Sequence, residues 1–566
     1  MELDSVDARR AALEAREQSW RPMGLAARFD VTARSFPDRP YVLTESSQFS
    51  YSEMVDWSTR LARGLYGLGV RPGDAVAMVV DNRPEFIAVK LAIARLGATA
   101  VPINFAYRAP ELAAVLATSE ACVLISISSS IGVDRLAVLD EVLPGWDHGA
   151  TSPSLPHLRH VLLVSADGRP DLRDLRWLAE HPDGSDETIR SLTEGVDPDA
   201  PCDIVFTSGT SGNALGAVLT HDMVLRSAYG SAYHRGFADG WRIGFSLPLY
   251  HVFGYIEGLL AAMFAGGAVA PHPVFNPRSI LTSIERHRLT EVLFVPTMSV
   301  AVVEEAAKRD YDLSSLESVF SAAAPAPVWL WERIQERLRP RVVFTGYGQT
   351  EVSAATTLTA PGDPLDVVSE TVGREKLGGV AADGGVLAHY RTVDPFRGEP
   401  LPAGAEGELT VRGPIVTHGY FRDPERTAAL IDADGWLRTG DLGRIRSDGY
   451  LELTGRSKEL FKVGGELVAP KQVEQVLTGH PQVGQAYVAG VPDERFGEVG
   501  WAWVVPAEGA APSDAELIRH CRQALAAFKV PRGITVVTAE DLPTTTTGKI
   551  QKYKLIEAWK GAIRRT

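Results

Sequence analysis

An α/β fold in two domains is predicted by two features. Short apolar runs alternate with longer helical patterns, and a fresh α/β pattern starts about a hundred residues before the end, while Gly and Pro punctuation is spread evenly and marks no linker. The runs at 76–80, 161–164, 203–206 and 292–295 have the length of buried strands, whereas 84–96 reads as a helix. A strand-like segment at 450–453 meets the polar turn Arg456-Ser457-Lys458, and this is the best candidate boundary. The expected architecture is a large N-terminal domain of β-sheets flanked by helices, residues 1–457, and a small C-terminal α+β domain, residues 458–566. No repeat of fixed period and no low-complexity tract interrupts it.

Composition narrows the function. With 566 residues, 45% hydrophobic and 23% charged, the chain can bury a large core. A net charge of -14 argues against a general nucleic-acid binder, because phosphate-backbone affinity needs clustered Lys and Arg. Cys122, Cys202 and Cys521 lie far apart with no CxxC pair, which suggests neither a zinc site nor a disulfide framework and fits a reducing compartment. The first twenty residues mix acids with arginines and have no apolar centre, so no secretory signal is expected there. The most apolar stretch, 252–270, carries Glu257 and four glycines and reads as a buried helix and strand, not a membrane span. A cytoplasmic protein without an integral membrane span or a nucleic-acid partner is the expectation.

Five segments carry candidate chemistry. The run 203–206 ends in Thr207-Ser208-Gly209-Thr210-Ser211-Gly212, a loop whose glycines let N–H groups converge on an anion while the hydroxyls add donors. It is not a Walker loop, since GxxxxGK[ST] is absent, and a polyphosphate cradle is favoured over a flexible turn. The run 342–345 leads into Gly346-Tyr347-Gly348-Gln349-Thr350-Glu351, an aromatic ring, a hydroxyl and a carboxylate within five residues. Tyr347 could stack on a base, Thr350 could reach a phosphate oxygen and Glu351 could hold Mg2+, although singly each reads as a surface turn residue.

In Gly435-Trp436-Leu437-Arg438-Thr439-Gly440-Asp441-Leu442-Gly443, Asp441 could accept both hydroxyls of a ribose, while by itself the segment reads as a hairpin turn. Downstream, Gly455-Arg456-Ser457-Lys458-Glu459 precedes Phe461-Lys462-Val463-Gly464-Gly465-Glu466. Lys549 follows four threonines and Gly548, with the reach an acyl phosphate wants and also the look of a solvated lysine.

The order of these motifs resembles the adenylate-forming superfamily of the acyl-CoA synthetase type, over nearly the whole chain from about residue 28 to 554. The resemblance implies a mobile C-terminal domain that rotates about a hinge at Lys458 between two half-reactions. In the first, the acid attacks the α-phosphate of MgATP and pyrophosphate leaves; in the second, a thiol attacks the acyl-AMP and AMP leaves. It assigns Lys549 to the first step, Tyr347 to adenine, Thr350 to the α-phosphate, Glu351 to magnesium, Asp441 to the ribose and Arg456 to the ribose or phosphate. Gln349 joins the cofactor-binding candidates, and Gly464 and Gly465 fall in the segment that would line the pantetheine tunnel. His251, in Pro248-Leu249-Tyr250-His251-Val252-Phe253-Gly254, resembles a gate beside the acyl pocket, and a buried structural histidine fits almost as well. Substrates would be a carboxylic acid, ATP or acyl-AMP, and CoA.

The family loop usually continues Pro-Lys-Gly, and here it reads Ala214-Leu215-Gly216. A charge-assisted hydrogen bond to the β- and γ-phosphates is thereby lost, worth roughly 1.5–3 kcal/mol. Two readings follow: a complete ligase with a compensated loop, or a thioesterification-only enzyme fed acyl-AMP by a separate adenylating partner. A third is a non-catalytic adenylate-binding protein, disfavoured because mere binding does not need Glu351, Asp441, Arg456 and Lys549 together. The small residues Ala322, Ala323 and Ala324 hint at room for a bulky acyl group.

Overall fold

The structure is a computed structural model that describes residues 5–130, 132–166, 172–207, 215–382, 385–463, 466–493, 495–544 and 550–563. Of the residues singled out above, Ser208, Gly209, Thr210, Ser211, Gly212, Gly464, Gly465 and Lys549 lie outside the described residues. The chain divides into two compact units, residues 1–389 with 412–435, and residues 390–411 with 436–566.

The first unit is built on two mainly parallel sheets. A six-stranded sheet runs Leu215–Thr220, Pro201–Thr207, Thr99–Pro102, Ala75–Val79, Val123–Ser126, His160–Leu163, with only the first pair antiparallel. A seven-stranded sheet places Val342–Phe344 at one edge, then Ser318–Ser321, Glu291–Phe294, Arg242–Phe245 and Ala268–Pro271. Parallel strands are covered on both faces, and side-chain alternation shows it. Val76 and Met78 enter a core shared with Phe245, Val269 and Phe320 of the other sheet, whereas Ala75, Ala77 and Val79 enter a separate cluster. The helix Pro84–Arg95 is apolar almost all round and buried from Phe86 to Arg95, as a helix packed inside the core must be. The apolar stretch near 252–270 folds as a π-helix Phe253–Leu260, a short α-helix Ala261–Phe264 and the strand Ala268–Pro271. Among the described residues no helix is long and apolar enough to cross a membrane.

The second unit carries a four-stranded sheet, His389–Val393, Gly407–Arg412, Leu437–Ile445 and Leu451–Arg456, whose first two strands meet the unit boundary at His389 and Arg412. A further sheet contains the long hairpin Val483–Asp493 and Gly497–Pro506, covered by the helices Pro470–Thr478 and Asp514–Ala524. The packing boundary at Gly435 and Trp436 therefore precedes the expected one at 457, because the strands that end in Arg456 pack with the helix Pro470–Thr478. A hinge at Lys458 concerns motion, not packing.

Candidate functional site

The strands Pro201–Thr207 and Leu215–Thr220 are the two arms of the hairpin that carries the hydroxyl- and glycine-rich loop. Thr207 stands directly across from Leu215, and its hydroxyl donates to the Leu215 carbonyl at 3.4 Å. Beneath the loop the hairpin is anchored by a buried ion pair, Lys90 to Asp203 at 2.7 Å. On its other edge the Val218 N–H donates to the Gly419 carbonyl at 3.0 Å and the Phe421 N–H to the Gly216 carbonyl at 2.8 Å. The segment 417–421 is thus a short rail along the loop-bearing strand.

That rail also holds Glu351. The strand Gly346–Gln349 ends in a 3₁₀ turn, Thr350–Val352, and the backbone carbonyl of Glu351 accepts the Thr417 N–H at 2.7 Å. Its carboxylate accepts the Tyr420 hydroxyl at 2.9 Å. Thr350 and Glu351 are 5% and 8% exposed, so the expectation of surface turn residues fails, because the rail and the hairpin cover them. Among the described residues no Lys or Arg pairs with Glu351. A buried carboxylate served only by a neutral hydroxyl is costly on its own, and its hard oxygens fit a divalent cation such as Mg2+. Burial, with Glu351 beside it, pushes the Tyr420 hydroxyl pKa up, so Tyr420 acts as donor at neutral pH. Gln349 adds a second open group: its Nε2 is buried and finds no acceptor among the described residues.

The glycines of this motif serve close approach. A Cβ on Gly348 would stand 1.7 Å from the Ala354 carbonyl oxygen and one on Gly346 would stand 2.6 Å from that of Thr357. After the 3₁₀ turn the chain passes through two left-handed residues, Ser353 at φ 54° and Ala354 at φ 79°. Side-chain-bearing residues there cost on the order of 1–3 kcal/mol each and persist only where neighbours hold them.

The acyl-side candidates form a second cluster in the same unit. The turn before His251 is pinned by buried Asn82, which donates to the Leu247 carbonyl at 2.8 Å and accepts the Leu249 N–H at 2.8 Å. His251 is half-buried, and its Nδ1 accepts the Phe253 N–H at 3.4 Å. Gly254 is required by close approach, since a Cβ would meet the Leu247 carbonyl oxygen at 2.6 Å. Phe253 meets Phe320 edge-on at 5.1 Å, which joins the His251 segment to the strand Ser318–Ser321 that leads to Ala322–Ala324. A π-helical turn is rare and frequent at functional sites, and here it starts two residues after His251.

In the second unit Asp441 and Arg456 come together. They are direct neighbours across the strands Leu437–Ile445 and Leu451–Arg456, with the guanidinium 3.1 Å from the carboxylate. The hairpin turn expected around Asp441 is instead a bulged strand: Gly440 takes φ 74° and the register shifts between Leu442 and Gly443. Asp441 is buried and Arg456 half-exposed. Lys458 is the middle residue of the 3₁₀ turn Ser457–Glu459, and Glu459 pairs with Lys552 at 2.6 Å. Thr544 and Ile550, on either side of the segment with Lys549, are joined by a β-bridge. The strands Phe461–Val463 and Glu466–Val468, on either side of Gly464 and Gly465, pair antiparallel.

The sequence does not point to Asn82 or Tyr420, whose roles come from contacts with distant segments. Glu257 had left a signal, as an acid inside an apolar stretch, but that signal pointed only away from a membrane.

Comparison with known proteins follows the same division of the chain. The family model of AMP-binding enzymes matches residues 29–421 and that of the AMP-binding enzyme C-terminal domain matches residues 472–549. A 3-[(3aS,4S,7aS)-7a-methyl-1,5-dioxo-octahydro-1H-inden-4-yl]propanoyl:CoA ligase of Mycobacterium tuberculosis is 36% identical over 531 residues, 94% of this chain and 98% of the relative. A feruloyl-CoA synthase of Amycolatopsis is 35% identical over 520 residues, 92% of this chain and 96% of the relative. Among solved structures, ATP-bound MatB from Rhodopseudomonas palustris superposes with a TM-score of 0.80 at 28% identity, covering 95% of this chain and 99% of that one.

Proposed function

We propose that this chain, which belongs to the AMP-binding enzyme family and is an acyl-CoA ligase working through acyl-AMP, is a complete ligase that performs both half-reactions on a bulky, ring-bearing carboxylic acid. The observation that carries completeness is the buried Glu351 carboxylate, left without a cationic partner among the described residues. Pyrophosphate is made only in the adenylation step, and a chain freed from that step would have no use for an unpaired buried acid beside the phosphate loop. Ring-bearing acids are favoured by the two bacterial relatives named above and by the small residues Ala322–Ala324 that follow Phe320.

In this reading the acid enters past His251 and a carboxylate oxygen attacks the α-phosphorus as the bond to pyrophosphate breaks. Glu351 would hold Mg2+, which when bound neutralises charge on the phosphates; Thr350 and the loop from Thr207 donate to phosphate oxygens, and Gln349 offers its open N–H. Tyr347 packs on adenine, Asp441 accepts the ribose hydroxyls, and Lys549 supplies positive charge to the first step. The thiol of CoA, led past Gly464 and Gly465, then attacks the acyl carbonyl and AMP leaves. Lys458 is the proposed hinge between the steps. A separate adenylating partner has no support among the relatives, which are themselves named as ligases and synthases.

The test offers ring-bearing and straight-chain acids with MgATP and follows pyrophosphate, then offers the matching preformed acyl-AMP with CoA and follows thioester. Both steps should proceed, with ring-bearing acids preferred. Conversion of acyl-AMP alone would make the chain a thioesterification-only enzyme and end the complete-ligase reading.

A further inference from the structure

We infer that Ser227, Glu257 and Lys376 are positioning residues that set the Glu351 turn for adenylation, an inference that rests on the reading of Glu351 as the cation ligand. The strained pair Ser353 and Ala354 connects that turn to the strand Ala354–Leu358, and the hydrogen bonds on either side of it come from one buried network. The Ser227 hydroxyl donates to the Ser353 carbonyl at 2.5 Å, and the Glu257 carboxylate accepts the Ala355 N–H at 3.0 Å. Lys376 joins the two anchors: its ammonium donates to the Ser227 hydroxyl at 2.8 Å and to the Ser231 hydroxyl at 3.2 Å, and lies 3.5 Å from Glu257. Ser353 in turn donates to the Ile415 carbonyl at 2.9 Å. Ser227, Ser231, Glu257, Ser353 and Lys376 are all fully buried.

Chemistry gives the network a direction. An ammonium can only donate, so Lys376 makes Ser227 its acceptor and leaves the single serine proton for the Ser353 carbonyl. Glu257 is likewise kept as the acceptor for Ala355 by the positive charges of Lys376 and Arg235, the latter 3.6 Å away and itself paired with Glu291 at 2.8 Å. A fully buried lysine is expensive where apolar packing would serve, which argues for a geometric task. The helix that carries Glu257 is the π-helix Phe253–Leu260 next to His251, so one rigid assembly spans the acyl gate and the turn of the cation ligand.

The test titrates Mg2+ against the protein with a non-hydrolysable ATP analogue by calorimetry, and measures both half-reactions, in wild type, Ser227→Ala and Glu351→Gln. Ser227→Ala should weaken Mg2+-dependent binding about tenfold, in the range of outer-sphere substitutions, and slow pyrophosphate release about as much, while thioester formation from preformed acyl-AMP stays within about twofold. An unchanged Mg2+ titration in Ser227→Ala, or an equal fall in both half-reactions, would overturn the inference if Glu351→Gln still shifts the titration. If Glu351→Gln leaves the titration unmoved, the cation reading itself fails and this inference with it. Glu257→Gln, which keeps an acceptor for Ala355 but unbalances Lys376, should move Mg2+ binding in the same direction as Ser227→Ala; no shift counts against it.

Discussion

Glu351 and Asp441 are two buried carboxylates, one in each unit, and they are served in opposite ways. Among the described residues the Glu351 carboxylate receives only the neutral hydroxyl of Tyr420, whereas Asp441 faces the Arg456 guanidinium at 3.1 Å. An acid left with its full charge is suited to a metal ion, while an acid already balanced by arginine is suited to accept hydroxyls of an uncharged ring. The surroundings differ in the same sense. Around Glu351 the chain is strained and pinned by buried groups, and around Asp441 it is an open strand pair with a half-exposed partner. The lesson is that placement of charge in this protein follows the ligand expected at each acid.

The sharpest way to break the comparison is Glu351→Gln. It should lower pyrophosphate release by about 10²–10³, the usual cost of removing one placed electrostatic group, and leave thioester formation from acyl-AMP nearly intact. An equal fall in both steps would erase the distinction between the two acids.

Acid should next single out the first unit. Burial holds His221 and His234 down to a pKa of about 3, against an ordinary value of 6.5. A depressed pKa contributes stability that is fully present above 6.5 and is lost as pH falls toward 3, so each imidazole should cost about 2 kcal/mol at pH 5 relative to pH 7. Hydrogen exchange at pH 5 should therefore deprotect the helix His221–Arg235 before the hairpin Val483–Asp493 and Gly497–Pro506. Uniform loss of protection would show that the units share one stability.

Restoring a cation to the phosphate loop sharpens the contrast from the other side. Leu215→Lys should raise pyrophosphate release by about 10- to 150-fold, with thioester formation unchanged, if the loop lacks only that contact. No gain would mean that another group already supplies it. The smallest effect is expected from Asp441→Asn, about tenfold in each half-reaction, because the nucleotide is held in both. Loss confined to one step would detach Asp441 from the ribose.

Much of this was legible in the residues. The strands at 75–79, 160–163, 201–207 and 291–294 fall where apolar runs stand, and the motif order pointed to the family before any coordinate. The exposure of Thr350 and Glu351 was misread because burial there comes from residues 417–421, far along the chain. Asp441 looked like a turn because Gly beside Asp has that signature, and a bulged strand uses the same positive φ at Gly440.

The sequence by itself determined the fold class and the family, because local periodicity and short-range motif spacing are written in neighbouring residues. Only the tertiary structure decided which acid has no cationic partner among the described residues, which hairpin edge carries the rail and what surrounds buried Lys376. The rail follows from the backbone bonds of 417–421, and the Lys376 network from contacts with Ser227, Glu257 and Ser353, brought together from separate segments by packing, and no local pattern in the chain records either meeting.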